Sequence, residues 1–258
     1  MKQVLVTGLN GRLAPYLKAQ LERDDITVSA FDRSVLNIDN RPTQLAFLQQ
    51  NNIDTIFHLA TGPEQWAGLL AGIAAELGIV FVLTSTESVF NPDSTGPFAP
   101  DHPADATGDY GAYKIRAETA VRAQNAKAII ARLGWQMFDT FERDNLLTHV
   151  RDMVNNEGVL FASTEWRPAV AFVGHTMSAL VALAQQQQPG TYHIGGNESG
   201  LSFYDLVSRI NRTYSCGWTI KPSTDPSRDG RIIDARVPCG RIETVLGADI
   251  AQPITEKA

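Results

Sequence analysis

The chain has few cysteines, no excess of basic residues and no long apolar run. Only Cys216 and Cys239 occur among 258 residues. Two cysteines cannot build a disulfide framework, and neither stands in a Cys-x-x-Cys or Cys/His ligand spacing. Two reduced thiols in a cytoplasmic protein are therefore expected. The balance of 22 basic against 28 acidic side chains gives a net charge of -6, which disfavours the basic face that phosphate-backbone binding needs, so no nucleic-acid partner is expected. The longest apolar run, Ala67 to Ala75, falls well short of the roughly 20 residues that cross a bilayer. The N-terminal segment turns polar and glycine-bearing at Thr7-Gly8 before a signal-peptide core forms. A soluble cytoplasmic protein without a membrane partner is expected. The five histidines (His58, His102, His149, His175 and His193) are scattered without ligand spacing, so no metal site is expected. No Gly-x-Ser-x-Gly nucleophile motif is present.

What is present is an alternation of short apolar runs with helical stretches. Strands are expected over Gln3–Thr7, Ile26–Phe31, Thr55–Leu59, Ile79–Leu83 and Ala128–Leu133, and helices over Arg12–Arg23, Pro42–Gln50, Gln65–Leu77 and Tyr110–Ala123. Leu13, Leu17 and Leu21 form one helical stripe. Ile79–Leu83 is apolar on both faces, as a strand in a buried parallel sheet must be. This rhythm points to an α/β fold with a doubly wound, Rossmann-type parallel sheet. After Asp139 the rhythm is less regular, with helices expected over Leu146–Val154, Thr176–Gln188 and Ser202–Tyr214 and strands over Val159–Ala162 and Thr191–Ile194. A junction near residues 137–145 divides a dinucleotide-binding domain (1–140), to which later segments return, from a smaller C-terminal α/β region (141–258) that mainly binds substrate.

The first strand runs directly into Thr7-Gly8-Leu9-Asn10-Gly11-Arg12-Leu13-Ala14. Glycine suits a tight strand-to-helix turn and close approach of backbone to a diphosphate, and the helix N-terminus offers free N–H groups to the phosphates. The third glycine of the dinucleotide fingerprint is Ala14 here. Asp32 closes the second strand, where a carboxylate accepts from the adenosine ribose hydroxyls and favours NAD; the adjacent Arg33 would instead pair with the 2′-phosphate of NADP. The cofactor reading is NAD or NADP, leaning slightly to NAD.

Tyr110 and Lys114 stand four residues apart, on one face of a helix. An ammonium beside a phenol is expected to lower the phenol's pKa and fit it to exchange a proton with a carbonyl or alcohol oxygen. Lys114 can also hold the nicotinamide ribose. The fourth strand ends in Thr84-Ser85-Thr86, which puts Thr86 at the carboxyl end where ligands of open α/β sheets bind. Trp66 reads as core. Arg167, in Trp166-Arg167-Pro168, would suit a diphosphate or carboxylate.

Taken together, these segments resemble the extended short-chain dehydrogenases/reductases, in particular the dTDP-4-dehydrorhamnose reductase branch. Thr7–Ala14 resembles the Thr-Gly-x-x-Gly-x-x-Gly signature, Phe57-His58-Leu59-Ala60 a strand end of that family, and Tyr110–Glu118 its Tyr-Gly-x-x-Lys-x-x-x-Glu helix. Ser85–Phe90 resembles its Ser-Thr-Asp-Tyr-Val-Phe motif, Gly190–Tyr204 its Gly-x-Tyr-His segment, and Arg231–Gly247 its last segment. The resemblance implies that Thr86 orients a substrate carbonyl, Tyr110 is the acid/base and Lys114 tunes it. It implies a cofactor held by Gly8, Asn10, Gly11, Arg12, Leu13, Asp32, Arg33, Leu59, Ala60 and Thr61 together with Tyr110 and Lys114, and a substrate met by Glu87, Ser88 and Arg167. The implied activity is NAD(P)-dependent oxidoreduction of a sugar nucleotide or related small metabolite, and the partner considered besides substrate is a second copy of the chain in a homodimer. The alternatives are an NAD-dependent epimerase/dehydratase and a non-catalytic cofactor-binding subunit. Three departures stand out: Glu87 replaces the family's aspartate, Ser88 its tyrosine, and the stretch between His58 and Ser85 is short and lacks an asparagine.

Overall fold

In the computed structural model, which describes residues 1–141 and 145–247, a six-stranded sheet organises the chain. Its strands are β1 (Gln3–Thr7), β2 (Thr27–Ala30), β3 (Thr55–His58), β4 (Val80–Thr86), β5 (Ile129–Leu133) and β10 (Gly190–Ile194). They lie in the order β2-β1-β3-β4-β5-β10, every pair parallel. In β1 the side chains alternate between two cores. Val4 and Val6 pack with Leu17 and Leu21 of α1 (Ala14–Arg23) and Leu180 of α6 (Val173–Gln186). Leu5 packs on the other face with Leu70 of α3 (Glu64–Leu77) and Val121 of α4 (Asp109–Gln124). Burial on both faces is why β1 and β3 read as continuous apolar runs. From β1 the chain runs through α1 to β2 on one side, then returns through α2 past β1 to β3 on the other, so the strand order reverses at β1. The crevice between the carboxyl ends of β1 and β3 is therefore the switch point where such sheets bind ligands.

The expected elements are present, with shifted ends. Helix α1 begins at Ala14, with Pro15 in its first turn, where a missing N–H is harmless. Helix α2 (Arg41–Gln50) is N-capped by Asn40, whose Oδ1 accepts from the Thr43 amide at 3.0 Å. Strand β4 continues through Thr86, three residues past the apolar stretch that ends at Leu83. The glutamine run stops helix α6 at Gln186, with Gln187 in the left-handed region.

The smaller region holds α5 (Leu146–Glu157), α7 (Phe203–Thr213) and α8 (Ile242–Val245) around a third core that includes Leu147, Val150, Leu206 and Ile210. Ser202 and Asp205 form a reciprocal cap at the start of α7. Three short parallel ribbons complete it: β6 (Trp135–Met137) with β9 (Val170–Phe172), β7 (Leu160–Ser163) with β11 (Ile220–Ser223), and β8 (Trp166–Arg167) with β12 (Arg228–Asp229). Of these strands only β7 is expected from the sequence. Of the expected junction at 137–145, residues 142–144 lie outside the described residues, as do residues 248–258 of the C-terminal region. Among the described residues no helix is long and apolar enough to cross a membrane.

Candidate active site

Two neighbouring clefts open at the carboxyl ends of the sheet strands. The first, about 740 Å³, lies between the turn after β1 and the ends of β2 and β3; Gly8, Gly11, Asp32, Arg33 and Thr61 are among its walls. The Gly11 amide donates to the Gly8 carbonyl at 2.8 Å and closes the turn. Gly8 has φ +76°, and a Cβ there would stand 2.9 Å from the backbone of Ala60. Only glycine leaves this concavity open beside the start of α1, so the residues present fit a diphosphate and hence a dinucleotide. Asn10, Leu59 and Ala60 line the same cleft. Ala14 is 1% exposed and packs in the first core, a buried packing position as in the fingerprint.

The two candidate cofactor selectors are both held locally. The Asp32 Oδ1 accepts from the Ser34 amide at 2.8 Å and its hydroxyl at 2.6 Å; these bonds hold its carboxyl below the usual range. Arg33 donates to the Thr61 carbonyl at 2.8 Å and stacks over Trp66 at 4.9 Å. Trp66, 2% exposed, is core as expected and also carries Arg33. His58 is buried, packs edge-on against Trp66, and shares a hydrogen bond with Thr7, whose Oγ1 accepts from the Ala60 amide. Burial above all, then Lys114 and Arg33, pushes its pKa down to about 3, so the imidazole is neutral and holds the cleft wall.

The second cleft, about 420 Å³, is lined by Thr86, Glu87, Ser88, Tyr110, Trp135 and Gln136, among others. Arg12 and Leu13 line this cleft and not the first. The residues that lead into α1 thus face the Tyr110 side. Helix α4 can press its first turn onto the end of β4 because residue 111 is glycine: a Cβ there would stand 2.2 Å from the Ser88 carbonyl. That contact brings Tyr110 to the cleft that Thr86 also lines.

Lys114 corrects one expectation. Its Nζ donates to the Thr84 carbonyl at 3.1 Å and lies 5.9 Å and 5.8 Å from the ring centres of Tyr110 and Tyr113. It stands beside the phenol rings and not at the Tyr110 oxygen. Tyr110 is 53% exposed, yet desolvation on its cleft side raises the phenol above its ordinary 10, Thr86 opposes this, and Tyr113 and Glu87 add to it. The expected lowering by the ammonium is therefore absent in the protein alone. Burial lowers Lys114 itself to about 8, against an upward pull from Glu118 one turn on. Glu118 is in turn bound by Arg132 of β5 through bonds of 3.0 and 2.8 Å.

Arg167 does not reach the Tyr110 cleft; it donates to the Glu165 carbonyl at 3.2 Å and sits near the Asp229–Arg231 pair. Sequence reasoning missed Arg228, whose positive charge acts on Glu87, and Trp135 and Gln136. The latter two follow β5 after Gly134, and a position just past a sheet strand's carboxyl end was the available signal. The hydroxyl of Tyr113 accepts from the Gly62 amide at 3.1 Å and donates to its carbonyl at 2.9 Å, pinning the short β3–α3 connection to α4.

A parallel sheet with a glycine-turn cleft beside a Thr–Tyr–Lys group defines a Rossmann-type protein of the extended short-chain reductase class. Residues 63–229 match the model of the RmlD substrate-binding domain, and the chain belongs to that family. It is 26% identical over 226 residues to the spore coat polysaccharide biosynthesis protein SpsK of Bacillus subtilis, covering 81% of this chain and 78% of SpsK. The structure of a dTDP-4-dehydrorhamnose reductase from Bacillus anthracis in complex with NADP superimposes with a TM-score of 0.75 at 19% identity, covering 96% of this chain and 93% of that one. A UDP-N-acetylglucosamine 4-epimerase from Bacillus cereus gives 0.76 at 17% identity, covering 92% and 91%. These last two likenesses establish the shared fold.

Proposed function

We propose that the protein is an NAD(P)-dependent oxidoreductase that interconverts a carbonyl and a hydroxyl on a sugar nucleotide, with Tyr110 as acid/base. The observation that carries this reading is that Thr86 and Tyr110 line one cleft beside the glycine turn, with the Lys114 ammonium 5.9 Å from the Tyr110 ring. The names of proteins similar to this chain, dTDP-4-dehydrorhamnose reductases and a UDP-N-acetylglucosamine 4-epimerase, support the substrate class.

When bound, a nicotinamide would supply or accept the hydride. Gly8, Asn10 and Gly11 cradle the diphosphate, and Asp32 receives the adenosine ribose, which keeps the lean to NAD. Thr86 donates to the substrate oxygen and fixes its position. Tyr110 delivers a proton to that oxygen in reduction and takes it back in oxidation. The high phenol pKa of the protein alone keeps Tyr110 protonated until substrate arrives. Lys114 steadies the phenolate that forms, its positive charge lying beside the ring. Residues 1–140 hold the cofactor, and residues 141–258 mainly shape the substrate side.

The test is oxidation of NADH and NADPH, followed at 340 nm, against a panel of nucleotide-linked 4-keto sugars that includes dTDP-4-dehydrorhamnose. Substrate-dependent loss of absorbance supports the proposal. No turnover across the panel, with NAD retained through purification, would move the assignment to an epimerase.

A further inference from the structure

Helix α4 carries Tyr110 and Lys114, and it also holds one wall of the cofactor cleft. Only residues 59–63 separate β3 from α3, and Leu59, Ala60 and Thr61 of that connection line the cleft together with Gly8 and Gly11. The wall sits tight against the glycine turn, since a Cβ on Gly8 would stand 2.9 Å from the Ala60 backbone. Any shift of the connection therefore changes the width of the space left for the diphosphate.

Successive residues of the connection are tied to different elements. The Ala60 amide donates to Thr7 Oγ1 of β1 at 3.2 Å, and the Thr61 carbonyl accepts from Arg33, in the loop after β2, at 2.8 Å. At Gly62 the partner is Tyr113 of α4. Its hydroxyl accepts from the Gly62 amide at 3.1 Å and donates to the Gly62 carbonyl at 2.9 Å, so one oxygen fills both backbone groups of one residue. A Cβ on Gly62 would stand 3.1 Å from the Trp66 ring and 3.4 Å from Arg33 Nη2, so the missing side chain lets both close on the turn. Tyr113 lies between Tyr110 and Lys114 in sequence, and its ring centre is 5.8 Å from the Lys114 ammonium. The wall of the cofactor cleft thus takes its place from the helix that carries the Tyr110 phenol.

We propose that Tyr113 is a positioning residue for the dinucleotide: its hydroxyl, bonded to both backbone groups of Gly62, holds the Leu59–Thr61 wall in its binding shape before the cofactor arrives. The proposal rests on the first cleft being the cofactor site, as set out above. Tyr113 does not line that cleft and acts through the backbone of the connection. A wall already in place needs no ordering when the dinucleotide binds, so affinity is the quantity that gains. The ion pair of Arg116 with Glu64, at 2.9 Å, ties α4 to the first turn of α3 outside the cleft, and such exposed pairs contribute little.

The experiment uses the full chain and NADH, whose affinity is read from the nicotinamide fluorescence change on binding, with no turnover needed. Tyr113→Phe keeps the ring and removes both bonds to Gly62. Its NADH Kd is expected to rise about fivefold or more. With dTDP-4-dehydrorhamnose the KM for NADH should rise in step, while kcat at saturating NADH stays within about twofold of the wild type. Arg116→Gln loosens the same two helices away from the cleft and should keep the wild-type Kd. Hydrogen exchange on the wild type needs no variant and decides the matter if Tyr113→Phe folds poorly: the Gly62 amide should exchange slowly without NADH and at a similar rate with it. A folded Tyr113→Phe that binds NADH as the wild type does overturns the positioning role alone, as does a Gly62 amide protected only when NADH is bound. An equal loss of affinity in Arg116→Gln overturns it too, and shows general packing of α3 on α4. A wild type that binds neither NADH nor NADPH overturns the cofactor reading and this role with it.

Discussion

Replacing Lys114 by methionine should make the protein more stable at neutral pH while removing its function. Lys114 is 6% exposed, and burial lowers its pKa from the usual 10.5 to about 8. That difference corresponds to about 3 kcal/mol spent on keeping the ammonium charged inside the fold. The unfolded chain holds this proton until near pH 10.5, whereas the folded protein releases it near pH 8. Between those values the unfolded state binds more protons, so Lys114's contribution to stability rises with pH across that window. The penalty is complete below about pH 8 and gone above about 10.5. Methionine removes the charge and keeps the stem volume, and it loses the bond to the Thr84 carbonyl, worth about 1 kcal/mol. The variant should therefore gain about 2 kcal/mol at pH 7, about 4–8 °C in Tm for a chain of this size, and be the less stable of the two near pH 10.5. Urea unfolding of both proteins from pH 7 to 10 measures the difference. A difference that stays constant with pH, or a variant destabilised at pH 7, refutes the reasoning. A stabilising substitution that abolishes turnover is the pattern expected of a group kept for function.

Three further outcomes follow from the geometry. Glu118→Gln leaves the Arg132 guanidinium buried, with both partners 7% exposed in the wild type, and should cost about 3–5 kcal/mol in denaturant unfolding, while Glu118→Leu with Arg132→Met should be near neutral; a single variant within about 1 kcal/mol of wild type contradicts this. Gly8→Ala forces a side chain into the left-handed region against the Ala60 backbone, at about 1–3 kcal/mol of strain, and should weaken NAD(P) binding in titration calorimetry; an unchanged Kd speaks against the glycine cradle. Asp32→Ala should weaken NAD more than NADP, and the reverse order would assign the preference to Arg33.

Much of the sheet could be read directly from the sequence. Strands β1 and β3 are buried on both faces, so their apolar runs announce a parallel sheet, and Leu17 and Leu21 mark the buried face of α1. The glycine turn and the four-residue spacing of Tyr110 and Lys114 were visible for the same reason: local spacing fixes local geometry. The ribbons β6, β8, β9, β11 and β12 were not visible. They are two to four residues long, too short for any periodicity, and depend on partners far away in the chain. Arg228 lies on one of them, so its effect on Glu87 could not be read from position. The phenol's upward shift was also hidden, because spacing puts Lys114 on the right face of α4 but says nothing of its bond to Thr84. Gly111 looked unremarkable in sequence, yet the close approach of α4 to Ser88 depends on its missing side chain.

The central claim is that Tyr110 moves the proton in a hydride-transfer reaction. It is tested most directly by Tyr110→Phe, with NADH or NADPH oxidation by dTDP-4-dehydrorhamnose followed at 340 nm and cofactor affinity measured alongside. Removing the hydroxyl while keeping the ring should lower kcat about 100-fold or more and leave the cofactor Kd close to that of the wild type. A variant that turns over at the wild-type rate would contradict it.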